Sequence, residues 1–249
     1  NNVKYECGAA RFHTSHTKLI SLLHEINLED NITPLPKDIK LILRNRRKNF
    51  PYQTNNDLDC KGLFKKAFDK QDEYTDEILI NITFFQYLVS VFDHETAEFM
   101  KDSFGYDSEF VSLNARSALD MFKDDFFKED DYFVLNGGLS QIINKLEKKV
   151  TESPFVTSMK GISAKHITDT SVTTSREDTY YFNQLICAIP QKQLQQFPLF
   201  KDHQVLNSVS PIPLLRIYAK YPVKPVWFKN IKRTITDSYI RQIIPIDYK

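Results

Sequence analysis

Glu6-Cys7-Gly8-Ala9-Ala10-Arg11-Phe12-His13 sets three small residues ahead of a cation and an aromatic ring. Gly and Ala let a backbone approach a ligand or a neighbouring strand closely, because little or no side chain intervenes. Arg11 then offers a planar fork of donors that suits a carboxylate or phosphate. A helix should follow over 15–26, with Leu19, Leu22, Leu23 and Ile26 on one face and Ser15 or Thr17 as its cap. Two readings fit. Either something flat or anionic lies against the chain here, or a small-residue strand is buried under the helix and Arg11 reaches the surface.

The 249 residues suit one large domain or two small ones. With 41% hydrophobic and 26% charged residues the balance is globular, and 19 Phe and 12 Tyr would fill the core. A net charge of +1 argues against a broad nucleic-acid footprint. Only 40–48 is locally basic (Arg44, Arg46, Arg47, Lys48), which reads as a solvated loop face. The three cysteines, Cys7, Cys60 and Cys187, are far apart and odd in number, as expected of reduced thiols in an intracellular setting. There is no signal-peptide pattern and no apolar run of membrane-spanning length. The chain opens Asn1-Asn2 without Met, which fits processing or a segment of a longer protein.

Along the chain, 3–12 reads as a strand and 40–45 as another, with Leu41 and Leu43 alternating. From Asp57 to Phe122 the period becomes helical: one helix through Leu58, Leu63, Phe64 and Phe68, then 75–92, 94–102 and 108–122. Such a block between strand-like regions suggests an inserted helical layer. Tyr132 to Leu135 reads as a strand, Asn136-Gly137-Gly138 as a turn, and Ser140 as the start of an amphipathic helix. From Ser153 the period is two: 155–159, 162–167, 171–174 and 180–182 are candidates for a small antiparallel meander. Leu185 to Ile189 is a continuous apolar run, as in a strand buried on both faces, and 214–221 and 240–246 read as long strands. The fold class is therefore mixed α/β.

Chemical motifs are sparse. His13-x-x-His16 lacks an obvious third and fourth ligand, so no metal is assigned. Cys60 and Cys187 have no partner motif for nucleophilic catalysis, and there is no G-x-S-x-G elbow. Asp124-Asp125 and Asp130-Asp131 sit in a polar run and read as surface rather than a glycosidase pair. A G-x-G-x-x-G turn is absent as well. Composition and spacing do not reach a reaction type.

Four blocks, in order, resemble the flavin-dependent amine oxidoreductases, the superfamily of monoamine oxidases and L-amino-acid oxidases. Glu6-Cys7-Gly8-Ala9-Ala10-Arg11-Phe12 with His16 is similar to the family's E-x-G-A-x-R-F…H segment. Tyr132 to Ser140, with Gly137-Gly138-Leu139, resembles its G-G-(M/L)-x-x-L helix start, and Leu185-Ile186-Cys187-Ala188-Ile189-Pro190 its V-I-x-A-(I/T)-P strand. Leu214 to Tyr218, Trp227 and Thr234-Ile235-Thr236-Asp237 with Arg241 resemble the strand, Trp and T-T-D-x-x-x-R stretch near the flavin. Phe104 to Phe110 with Asn114-Ala115 further resembles versions encoded by large DNA viruses.

The resemblance implies the central part of a two-domain FAD-linked fold, with mixed sheets and an inserted helical subdomain. Residues 1–36 and 132–200 would contribute to the FAD-binding domain. Residues 37–131, with helices over 57–122, and 201–249 would contribute to the substrate domain. Gly8, Ala9, Ala10 and Arg11 would lie along the flavin, Gly161 near the adenine, and Ala188 near the cofactor. Arg11 aligns with the arginine that grips a substrate carboxylate, and Trp227 would stand on the substrate side. Arg216 falls where the family carries a catalytic Lys; Arg does not deprotonate in proteins, so the ordinary oxidase role of that position is altered.

The glycine-rich pyrophosphate turn and the family's C-terminal segment lie outside the matched blocks, so this chain alone is expected not to retain FAD. The implied activity is oxidation of a C–N bond in an amine or amino acid by hydride transfer to FAD, in a partial or degenerate form. The rival reading is an inactive oxidase-fold structural or interaction protein, such as a virion component with protein partners; a generic α/β binding domain is a third. The expected location is the cytoplasm or a virion.

Overall fold

The computed structural model describes residues 11–35, 38–44, 52–127, 132–219 and 232–244; the side chains of 124–127 lie outside that description. The chain divides into two compact units, one of residues 1–142 with 218–249 and one of residues 143–217.

In the first unit β1 (Phe12–His13) leads into α1 (Thr17–Glu25), followed by β2 (Ile32–Pro34) and β3 (Ile39–Ile42). The helical layer is α2 (Cys60–Asp69), α3 (Asp76–Asn81), α4 (Phe84–Val91), α5 (His94–Phe104), α6 (Ser108–Val111) and α7 (Ala115–Phe127). After it come β4 (Tyr132–Leu135) and α8 (Ser140–Thr151), which runs on into the second unit. That unit carries β5 (Ala164–Ile167), β6 (Ser171–Thr174), β7 (Thr179–Tyr181), α9 (Gln191–Leu194) and α10 (Gln204–Asn207). The chain then returns to the first unit with β8 (Arg233–Thr236) and β9 (Gln242–Ile243).

Three small sheets result. In the first, β4 is central and antiparallel to both β1 and β2, with Phe12 opposite Phe133 and Ile32 opposite Leu135. In the second, β8 is central, parallel to β3 with Ile39 opposite Arg233, and antiparallel to β9. The third is the meander β5-β6-β7 of the second unit, with a register shift between Ala164 and His166.

The core of the first unit is aromatic. Phe64 packs against Phe122 at 5.3 Å and 67°, Phe84 against Phe122 at 5.2 Å, and Phe104 against Phe122 at 4.9 Å and 83°. Edge-to-face geometry of this kind adds to the burial energy of each ring. Leu63, Leu79, Leu88, Met100 and Leu119 fill the space between them. Tyr87 is also fully buried, and its hydroxyl donates to the Ala67 carbonyl at 2.6 Å, so its polar end is satisfied.

The single helix expected over 75–92 is two. Ile82 and Thr83 are extended, and Thr83 opens α4 with a capping box: its hydroxyl accepts from the Gln86 N–H while Gln86 Oε1 accepts from the Thr83 N–H. This local solution outweighs helix continuation. The break also lets Thr83 bridge Asn114, and Ala115 donates to the Ile82 carbonyl. The helix expected over 108–122 is likewise split, at Ser112 and Leu113. At Gly105, φ is +86° and a Cβ would stand 3.0 Å from Ile235 Cγ2, so both backbone and space require glycine where α5 meets β8.

The expected meander is present over β5, β6 and β7, but its first candidate strand, 155–159, is not formed and Phe155 is exposed, and three further apolar runs are not the strands their composition suggests. Residues 185–189 lie in no ladder, and Ile186 is 92% exposed. Residues 214–219 are also outside any ladder, with Leu215 82% exposed; of 240–244 only Gln242–Ile243 pairs, and residues 220, 221, 245 and 246 lie outside the described residues. An apolar run becomes a buried strand only where it pairs with a neighbouring edge, and neither 185–189 nor 214–219 joins any of the sheets among the described residues. The acidic pairs at 130–131 lie outside the described residues, as do the side chains of Asp124 and Asp125.

Phe64→Ala removes a ring shared by four aromatic neighbours and is expected to cost about 3–5 kcal/mol, read from chemical denaturation midpoints. Asp93 caps α5, accepting from the Thr96 N–H at 2.8 Å and from Thr54 and Asn56. Burial pushes its carboxyl up, but these donors outweigh it and hold the pKa below the ordinary value. The lowered value means this stabilisation is complete above the unfolded aspartate pKa and is lost as pH falls through the folded one. Denaturation midpoints of the wild-type chain should therefore fall more steeply than those of Asp93→Asn below about pH 4.

Candidate functional site

Strand β1 places two residues with different roles; residues 3–10 of the strand expected over 3–12 lie outside the described residues. Phe12 is buried, stacking on Phe133 at 6.0 Å, and His13 faces Tyr132 at 4.8 Å. His13 Nδ1 shares a 2.8 Å hydrogen bond with Ser15 Oγ, and the His13 N–H donates to His16 Nδ1 at 3.4 Å. His16 is also the N-cap residue of α1, in place of the expected Ser15 or Thr17. The two imidazoles thus serve the turn into α1, and no group of three metal-binding side chains occurs among the described residues.

Arg11 enters β1 with its guanidinium 4.7 Å above the Tyr132 ring. Arg233, at the start of β8, is near enough for the two charges to interact. Burial, then the Arg11 charge, pushes Arg233 below the usual arginine pKa. Arg233 Nη2 donates to Gln242 Oε1 at 3.0 Å. Tyr132, Arg233 and Gln242 were not singled out from sequence; the alternation of β4 and β8 says only which face each occupies, not that Arg11 stands beside them.

Of the other residues expected at the site, Gly8, Ala9, Ala10 and Trp227 lie outside the described residues. Gly161, Ala188 and Arg216 belong to the second unit. Gly161 has φ +67° and no atom within 4 Å of where a Cβ would stand, so its backbone faces open space. Ala188 is exposed and follows Cys187 on the wall of a cleft of about 280 Å³, lined also by Thr168, Asp169, Phe182, Leu185 and Phe200. Arg216 is exposed on the extended segment before residue 220.

A second cluster ties the helical layer to sheet β3-β8-β9. Asp102 is 5% exposed and accepts from the Tyr52 hydroxyl at 2.7 Å. Arg241 reaches it at 3.7 Å, donates to the Lys101 carbonyl at 3.1 Å, and pairs with Asp107 at 2.9 Å. Arg44 stacks on Tyr52 at 4.9 Å and pairs with Glu95 and Glu98, both at 3.1 Å. Burial pushes the Asp102 carboxyl up, against the Tyr52 hydrogen bond and the Lys101 and Arg241 charges. Arg44 is therefore part of the packing rather than of a solvated loop face; Arg46, Arg47 and Lys48 lie outside the described residues.

The family profile described as flavin containing amine oxidoreductase matches residues 1–240. The chain belongs to the flavin-containing amine oxidoreductases. No curated protein matches it. Membership makes the mixed α/β class and a flavin-linked, amine-directed chemistry the general description of this chain. No helix among the described residues is long and apolar enough to cross a membrane.

The two described cysteines should differ in reactivity. Burial pushes the Cys60 thiol up, with Ser103 Oγ donating to its sulfur at 3.5 Å, and a thiol rather than a thiolate reacts slowly. Alkylation of the folded chain should therefore mark Cys187 before Cys60, and peptide mass spectrometry over a time course reads the order directly.

Proposed function

We propose that this chain is the central portion of an oxidase that removes a hydride equivalent from a C–N bond of an amine or amino acid, with Arg11 holding the substrate carboxylate. The observation that supports this reading most is the position of Arg11. Its guanidinium is supported from below by Tyr132 at 4.7 Å and makes no ion pair with a carboxylate among the described residues. An arginine placed this way keeps its forked donors for an oxyanion. In this reading Trp227 and Arg216 would be substrate-side and reacting-strand residues, and residues 1–36 and 132–200 would be cofactor-binding segments.

The described residues fit a flavin in part. Gly161 borders open space and Ala188 is a small, exposed residue next to the cleft-lining Cys187, so neither obstructs a cofactor. Gly8 to Ala10 would lie along the ring system. When bound, the flavin supplies the hydride acceptor, and the protein's share is to bind and orient the amine. Arg216 cannot act as a base in the place of the family's Lys, so proton handling there would pass to the substrate amine or to water. That substitution also favours the second reading, an oxidase fold kept for a structural or interaction role.

The longest native form should show flavin absorption between about 350 and 500 nm that bleaches anaerobically with an amine or amino acid. Arg11→Ala should then lower kcat/KM for an acid substrate by roughly 30-fold or more, since truncating one partner of a charged pair costs about 2–5 kcal/mol. It should leave turnover of a simple amine largely intact. A folded, colourless protein that takes up no added flavin would sink the enzyme reading and leave the structural one.

A further inference from the structure

We propose that Arg233 and Gln242, together with Arg11, form a binding site for a doubly charged oxyanion. Arg233 opens β8 opposite Ile39, and Gln242 lies in β9 opposite Ile235, so adjacent strands bring the two side chains together. The 3.0 Å bond from Arg233 Nη2 to Gln242 Oε1 settles which end of the amide is oxygen. Gln242 Nε2 must then turn its donors elsewhere, yet it is a buried atom with no acceptor, and so is Arg233 Nε. The amide is held in place by Gly105, where a Cβ would lie 3.3 Å from Nε2 and 3.4 Å from Cγ. Buried donors are ordinarily paired, and leaving one unmade is costly. Two on neighbouring strands describe a place for an acceptor.

The charge balance agrees. Arg44, Arg116 and Arg241 each have a carboxylate within 4.0 Å. Among the described residues Arg11 and Arg233 have none; the Arg11 charge acts on Arg233, and Arg11 itself stacks on Tyr132. Two cations held together in a half-buried place are unfavourable until an anion lies between them. The guanidinium forks and the amide N–H donors match the oxygens of a carboxylate or phosphate group, and two positive charges match a dianion better than a monoanion. The site shares Arg11 with the substrate-carboxylate contact proposed above, but it consists of first-unit residues and needs no flavin, so anion binding is read separately from oxidase turnover.

Thermal unfolding of the full chain at constant ionic strength tests it, with succinate and inorganic phosphate as probes and propionate and chloride as controls. At a probe concentration about ten times its Kd, Tm should rise by roughly 3–6 °C with succinate, phosphate or both. A rise with succinate alone assigns the site to dicarboxylates, and one with phosphate alone assigns it to phosphorylated ligands. The controls should give under about a third of that rise. Arg233→Gln should abolish the response without lowering Tm in the absence of anion, because it removes one of two interacting like charges. Gln242→Glu places a carboxylate in the site itself: Tm without anion should rise and the response to added anion should vanish. No rise with either dianion, an equal rise with the controls, or a full response kept in Arg233→Gln or Gln242→Glu would overturn the proposal.

Discussion

Asp102 is the constraint around which the first unit closes. It lies in α5, is nearly inaccessible, and meets Tyr52 from the segment before α2 and Arg241 from the end of the chain. A carboxylate in such a place is expensive unless its oxygens are used. Here Tyr52 uses one at 2.7 Å and Arg241 approaches the other, while the Arg241 fork is held by the carbonyls of Thr236 and Lys101. The returning strands are thereby tied to the end of α5. Once Arg241 is placed, β9 is placed, and with it Gln242 and the register of β8 against β3. The Gly105 turn completes this junction, because only a residue without a Cβ lets Ile235 and Gln242 come that close to the end of α5.

The aromatic core and the polar junction divide the work. Phe64, Phe84, Phe104, Phe110 and Phe122 form the aromatic centre of the core, and their edge-to-face and tilted contacts draw on α2, α4, α5, α6 and α7 together. Burial alone is nondirectional, so it does not select which helix follows which strand. Directional contacts do that: the Thr83 capping box, the Asp93 cap with Thr54 and Asn56, and the Asp102 cluster. The two units also differ in kind. The second has a meander joined by short turns, with much apolar side chain on its surface, including Phe155, Ile186 and Leu215.

Membership of the amine oxidoreductase family gives the chain its general chemistry, and the local geometry adds to it at one corner. Arg11 was visible as a candidate from the small residues before it and from the ordered resemblance of four blocks. Its neighbours were not visible. Tyr132 is 121 positions away, and Arg233 reaches the same corner only because β8 runs parallel to β3 after the whole helical block has intervened. Arg241, part of a flavin-site resemblance in the sequence, has its contacts with α5 and the end of β8.

Sequence by itself determined the periodic elements and the local punctuation: α2, α5, α8 and β4, the meander from Ala164 to Tyr181, and the turns at Gly105 and Gly137-Gly138. These follow from spacing, caps and φ constraints that act within a few residues. It also carried the family, through ordered motifs. Tertiary structure decided the rest. Whether the apolar runs at 185–189 and 214–219 become strands depends on an edge being available beside them. Whether two arginines become a site depends on distant strands bringing them to one place. Each of these is a nonlocal contact, paid for by loop closure and realised only when the whole unit packs, and so none is written in the spacing of neighbouring residues.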